Sequence, residues 1–260
     1  MCLRFLSLLS LAVLPVLAAG QTVLRVCADP NNLPFSNNKG EGFENKIAEL
    51  VAAKLGSHLE YTWWAERKSF AKESLEQSRC DAVLGVPTSL PSVETTQPYY
   101  RSTYVFVSRR DRGLGISSLN DPRLAQLRIG IHVVGEDYAP PAFALARQGI
   151  TRNIVGFSLF GPYGELNPAR NIVDAVDRGD IDLAIVWGPF AGYFAKLESS
   201  DFDIAAVTPA MFLGVPFTYS ISAGVRKDND PLRARLDGVL QSESNAIQQI
   251  LQSYGVPLVQ

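Results

Sequence analysis

Histidine is scarce in this chain: 2 in 260 residues, beside 3 cysteines and 2 methionines. That leaves little material for a metal centre or a nucleophile–base pair. The spaced motifs of such chemistry are missing too. There is no Gly-x-Ser-x-Gly elbow, no His-Glu-x-x-His, no Cys-x-x-Cys and no glycine-rich phosphate loop after a strand. Carboxylates are numerous but scattered, with no pair spaced for general acid–base work. His58 lies in the polar Gly56-Ser-His-Leu turn and reads as a solvated loop residue. His132 ends a predicted strand at a lobe edge, where a single histidine is more often hydrogen-bonded structure than a ligand. No catalytic residue, no metal ligand and no cofactor is therefore assigned, and a non-enzymatic protein is expected.

Charge is also undersupplied. The formal net charge is -2, only 19% of residues are charged, and no Lys/Arg run forms a basic patch, so nothing points to nucleic acid. Beyond the first 20 residues no apolar run approaches a membrane span.

Residues 1–20 themselves read as a secretory signal. Arg4 gives a weakly basic start, Phe5 to Leu17 an apolar core, and Ala18-Ala19-Gly20 small residues for cleavage before Gln21. The mature chain is expected to be soluble, monomeric and periplasmic. Cys2 leaves with the signal, so Cys27 and Cys80 remain. An oxidising compartment favours a disulfide. Their predicted places, late in one parallel strand and just before another, set them at different heights and favour two buried thiols. Both readings stay open.

At 47% hydrophobic and 260 residues the chain is long enough for one large or two modest α/β domains. A strand from Leu24 runs into the loop Asp29-Pro-Asn-Asn-Leu-Pro-Phe35. Helical spacing covers Glu44 to Leu55 and Lys68 to Ser78, and strands are predicted at Leu59–Trp64 and Asp81–Val86. This β-α-β-α-β rhythm implies a parallel sheet. A second round follows, with strands at Leu127–Ile131, Ile154–Phe157 and Ile181–Trp187 and helices at Pro141–Gln148 and Ala169–Arg178. Two long turn-free runs, Tyr99–Arg109 and Phe217–Val225, flank this second half. They read as paired crossover strands of a hinge between two lobes. One long helix from Pro231 to Tyr254, weakest at Ser242–Asn245, ends the chain. Lobe one is drawn as 21–108 plus 217–260 and lobe two as 109–216.

Unusual residues gather at strand C-termini, where open α/β sheets hold ligands. Asp29, Asn31, Asn32 and Phe35 follow the first strand, and Trp63 and Trp64 end the second. Thr88 and Ser89 follow the third. In the second half Gly135, Glu136 and Tyr138, then Tyr163, then Trp187 occupy the matching places. Aromatic walls with a few hydroxyls and amides suit a small-molecule pocket or a binding face. Trp63 and Trp64 point to opposite faces, so one of them is expected in the core. Asp29 could equally cap the turn that follows it.

Leu-Arg-Val-x-x-Asp with Pro-Phe, Gly42-Phe-Glu, Cys80-Asp-Ala-Val-Leu-Gly, Pro98-Tyr-Tyr and Ile181-Asp-Leu-Ala-Ile resemble, in order and spacing, the family 3 extracellular solute-binding proteins. That resemblance implies a type II periplasmic binding protein fold, two α/β lobes joined by a two-strand hinge. Amino-acid receptors of the family clamp the ligand carboxylate with an arginine after strand three, but Thr88 to Glu94 contains none. Their second-lobe aspartate falls at Trp187. Longer words, among them Val26-Cys-Ala-Asp-Pro-Asn-Asn-Leu-Pro-Phe-Ser and Ala184-Ile-Val-Trp-Gly-Pro-Phe-Ala-Gly-Tyr, resemble the quinoprotein-dehydrogenase-associated binding proteins. These are the J proteins encoded beside PQQ-dependent methanol dehydrogenases. The resemblance implies an accessory that binds the dehydrogenase and assists its maturation or activation. The aromatic residues Tyr138, Tyr163 and Trp187 read as lining a cleft suited to a loop or helix of that partner. The alternative is a transport receptor for a small non-amino-acid ligand in that cleft.

Overall fold

The computed structural model describes residues 22–65, 69–134, 137–159 and 167–259. The signal segment, Gly135, Glu136 and Tyr163 lie outside the described residues, and Tyr138 is described by its backbone only.

The first half builds as its pattern dictates. Strand β1 (Thr22–Ala28) leads to α1 (Phe43–Lys54), β2 (Ser57–Trp63), α2 (Phe70–Glu76) and β3 (Ala82–Pro87). β1 sits between β2 and β3, parallel to both. α1 buries Phe43, Ile47, Ala48, Val51 and Ala52, the one-face stripe of a 3.6-residue period. Its first amides bond backward into the loop after β1: Phe43 N–H donates to Pro34 O and Glu44 N–H to Phe35 O. Helix-start donors that would otherwise be orphaned thus fasten the loop to the helix. Gly42 is needed there, because a Cβ would overlap the Phe35 carbonyl.

β4 (Tyr100–Arg109) then crosses to the second half, which contains β5 (Ile129–Val134), α3 (Pro140–Arg147), β6 (Ile154–Ser158), α4 (Asn171–Arg178), β7 (Leu183–Trp187), α5 (Gly188–Ala195) and β8 (Phe202–Ala206). β9 (Thr218–Val225) returns to the first half, followed by α6 (Asp230–Ser242) and α7 (Ser244–Ser253). The resulting strand order is β6-β5-β7-β4-β9-β3-β1-β2, with β8 also paired to β4.

The hinge lies in the middle of that order. Tyr100–Thr103 of β4 pairs antiparallel with Ile221–Thr218 of β9, and its next four residues, Tyr104–Val107, pair with Trp187–Ala184 of β7. One strand therefore belongs to both halves. Alternation along it splits the second core, with Val105 and Val107 facing α4 and α5 while Phe106 faces Ile129, Leu145 and Phe217.

Several elements differ from the sequence expectation. Gly188-Pro189 does not merely stop β7; proline at the first helical turn suits a helix start, and α5 begins there. β8 was not anticipated. The final helix is two, broken at Glu243 inside the weak Ser242–Asn245 middle.

Cys27 and Cys80 are joined by a disulfide, with Cα atoms 5.5 Å apart. The expected difference in height does not arise, because Cys80 is not yet in line with β3. The Arg79 carbonyl accepts from Thr62 Oγ1, and Thr62 is the ladder partner of Cys27. Asp81 N–H donates to Arg25 O on the other side. The α2–β3 connection thus passes over β1 at the level of Cys27 and sets one sulfur above the other.

Candidate functional site

The loop after β1 is a strut between the halves. Asp29 is buried; its Oδ1 accepts Asn31 N–H at 2.7 Å and its carbonyl accepts Ser36 Oγ at 2.8 Å. This is the turn-capping arrangement natural to aspartate. Asn31 and Asn32 pair with Asn37 and Ser36 in a small hairpin. From there Asn31 Oδ1 accepts Asn167 N–H of the second half at 3.1 Å. Leu33 is 8% exposed and packs in the second core with Val105, Ile172 and Phe190. Phe35 touches Phe43 of its own half and Phe190 of the other, each with ring centroids 5.1 Å apart.

A second bridge is aromatic. Trp187, half-buried at the end of β7, packs against the cores of both halves. Its ring centre lies 5.5 Å from Tyr104 and 5.7 Å from Tyr219, one on each hinge strand. Burial pushes both tyrosine hydroxyls above the ordinary phenol range, so they stay neutral. Tyr219 Oη donates to Pro216 O at 3.1 Å. Immediately after Trp187, Gly188 lets α5 start against β4, since a Cβ would lie 2.6 Å from Thr103 O.

The chain terminus supplies the third bridge. Tyr193 of α5 stacks on Tyr254 at 5.7 Å, and Tyr254 also meets Phe43. Gly192 lies against Gly255 so closely that a Cβ on Gly192 would overlap the Gly255 carbonyl. Lys196 Nζ donates to the Ser253 carbonyl at 3.2 Å.

The other expected residues whose side chains the structure describes lie in the first half. Thr88 is joined to β9, through its N–H to Ser220 O at 2.8 Å and its Oγ1 to Ser222 Oγ at 2.7 Å. β9 thus connects Thr88 with Tyr219 and so with Trp187. Ser89 is exposed in the left-handed region (φ 63) and donates its N–H to Thr95 Oγ1. Trp64 sits apart at the end of the β2 edge, half-buried under the Arg79 guanidinium at 3.9 Å. Trp63 is 38% exposed and stacks on Tyr61 at 4.5 Å, so neither tryptophan is in the core. Both stand at the end of β2, the edge strand of the sheet, beyond which no strand pairs among the described residues.

His132 is buried, its Nε2 3.2 Å from Ala169 O and its ring against Phe190. Burial pushes its pKa down to about 4, only partly opposed by that hydrogen bond. It is a neutral structural residue. His58 belongs to strand β2 rather than a turn, and is exposed. Among the described residues no group of three or more His, Cys, Asp and Glu is placed to hold a metal ion.

Sequence reasoning missed Tyr104, Tyr219, Asn167 and the Tyr193–Tyr254 stack. The first two were legible in principle, as aromatics within the hinge runs. It also missed Glu44, whose carboxylate lies beside Gly85, the left-handed residue whose N–H donates to Tyr99 Oη.

Comparison with known proteins agrees with this architecture. The bacterial extracellular solute-binding proteins, family 3, match residues 24–257. Protein MoxJ of Methylorubrum extorquens is 31% identical over 250 residues, spanning 91% of this chain and 81% of that protein. MoxJ of Paracoccus denitrificans is 29% identical over 96% of this chain and 94% of its own length. Among solved structures, MxaJ from Methlophaga aminisulfidivorans MPT superposes with a TM-score of 0.81 at 27% identity, covering 91% of this chain and all of that one. The periplasmic binding protein XoxJ from Methylobacterium extorquens AM1 gives 0.75 at 33%, covering 92% of this chain and all of that one. The chain has the periplasmic binding protein fold and belongs to the family 3 bacterial extracellular solute-binding proteins, and within them to the J-type binding proteins associated with methanol oxidation.

Proposed function

We propose that this protein is a non-enzymatic periplasmic accessory of PQQ-dependent methanol oxidation, which binds methanol dehydrogenase and assists its maturation or activation. In this reading the signal is removed near Gly20 and the mature chain works as a monomer. Residues 21–108 with 217–260 form one lobe and 109–216 the other. The observation that carries the proposal is the Tyr104–Trp187–Tyr219 cluster at the lobe junction. An amino-acid receptor needs a guanidinium for the ligand carboxylate and a carboxylate for its ammonium. Here Thr88 is engaged by the hinge strand, no arginine stands between Thr88 and Glu94, and an indole, Trp187, ends β7 against Tyr104 and Tyr219. Aromatic side chains at a junction of this kind suit a protein partner, since Tyr and Trp dominate interface anchors.

The test is calorimetric titration of the mature protein with the methanol dehydrogenase of the same organism, beside a thermal-shift screen of small metabolites. Saturable binding to the dehydrogenase is expected. No binding, together with a metabolite that raises the melting temperature as a native-state ligand must, would replace the proposal with a transport receptor.

A further inference from the structure

The second lobe carries a surface that the junction between the lobes does not use. β6 is the last strand of the sheet, and among the described residues it pairs with β5 alone. Its hydrogen-bonding parity is fixed at both ends, because Ile129 N–H donates to Asn153 O and Leu159 N–H to Val133 O. Odd-numbered residues therefore face β5, and the N–H and C=O groups of Ile154 and Gly156 point out from the sheet edge. Val155 and Gly156 are exposed. The edge has no proline, lysine or inward-pointing charge to blunt it.

Beside that edge, on the face carrying Ile154 and Gly156, runs a groove of about 640 Å³ between the sheet and α3. Its walls include Ile131, Val133, Phe143, Ala146 and Ile154, and Gly156 leaves its floor without a side chain. Phe143 is 40% exposed into it. Two cations directly follow residues that line the groove, Ala146 and Thr151. The Arg147 guanidinium lies 5.9 Å from the centre of the Phe143 ring, and Arg152 stands just before β6. Both are exposed, and among the described residues neither has a carboxylate partner. Elsewhere on the same lobe Arg109, Arg123, Arg128, Arg170 and Arg178 are all ion-paired.

We propose that the β6 edge and its groove receive an extended segment of a partner protein, added as a further strand, with apolar side chains at alternate positions and an acidic residue at its end. The outward backbone groups would take the main-chain hydrogen bonds. Every second side chain would enter the groove over Gly156, and the arginines would take the acid. A free edge in register with a pocket is the arrangement by which strand addition gains both affinity and selectivity. A single apolar molecule would use the groove but leave the edge and the arginines idle. This proposal is independent of the function proposed for the lobe junction.

The experiment uses a short fluorescein-labelled peptide of alternating valine and threonine ending in glutamate, titrated with the mature protein and followed by anisotropy. Amide exchange by NMR reports the Ile154 and Gly156 N–H groups. Binding is expected to protect both amides. Gly156→Pro removes an outward donor while leaving the bonds to β5 in place, and is expected to weaken binding at least about tenfold. Its new Cβ would press on Val133 at 3.2 Å, so the exposed pair Arg147→Glu with Arg152→Glu serves as a second variant. That pair is expected to produce a similar loss and to favour a lysine-ended peptide instead. No binding of the glutamate-ended peptide at about 1 mM would overturn the proposal, as would binding that survives both variants. Self-association of the protein that Gly156→Pro abolishes would also overturn it, by placing a second copy on the edge.

Discussion

Replacing His132 with glutamine should change how stability depends on pH far more than any single surface carboxylate could. In the folded protein burial holds this imidazole neutral, with its pKa pushed from 6.5 down to about 4. The unfolded chain binds the proton more tightly, so its contribution to stability is complete above pH 6.5 and is lost as pH falls toward 4. For these two values the loss between pH 7 and pH 5 is about 2 kcal/mol, approaching about 3 kcal/mol below pH 4. Glutamine can keep a hydrogen bond to Ala169 O but does not titrate. The assay is urea unfolding of both proteins at several pH values between 7 and 4.5, with the difference in unfolding free energy plotted against pH. Carboxylates common to both cancel in that difference. The wild-type protein should lose about 2 kcal/mol relative to His132→Gln on acidification from pH 7 to pH 5. Parallel profiles would show that the imidazole is not held neutral by burial and would refute the reasoning.

Two further perturbations test the packing. The Cys27–Cys80 bond spans 53 residues of sequence, for which loop-closure entropy corresponds to about 4 kcal/mol. The Cys27→Ala, Cys80→Ala double variant should unfold at correspondingly lower urea concentration, and a loss below about 1 kcal/mol would contradict that ordering of the unfolded chain. Gly192→Val should destabilise by about 2–3 kcal/mol, because the Gly255 carbonyl occupies the space of the new side chain. Faster amide exchange at Tyr254 to Val259 would report the released terminus, and unchanged exchange there would show that the Gly192–Gly255 contact does not fasten it.

The hinge was legible because Tyr99–Arg109 and Phe217–Val225 are long, turn-free and rich in β-branched and aromatic residues, and the pairing of Thr218 with Thr103 follows from that. The parallel halves were legible from the β-α repeat. What escaped had specific causes. Gly188-Pro189 signals both a strand end and a helix start, and only the packing of α5 on β4 decides between them. The disulfide depends on a connection that crosses β1, which local propensity does not encode. At the junction, Trp187 stood out as a rare residue at a strand end, whereas Tyr104 and Tyr219 looked like ordinary members of alternating strands. Asn31 was visible as a polar loop residue, but its bond to Asn167 joins positions 136 apart in sequence. For Asp29 the sequence offered two readings, a ligand group or a turn cap, and its Oδ1 does cap its own turn.

The most direct measurement is the affinity of the mature protein for the methanol dehydrogenase of its own organism, compared with that of Trp187→Ala. Removing the indole takes away the centre of the aromatic cluster at the lobe junction. Saturable binding by the wild-type protein, weakened at least about tenfold by the substitution, is the expected result. Equal binding by both proteins, or none by either, would contradict an accessory role exercised through that junction.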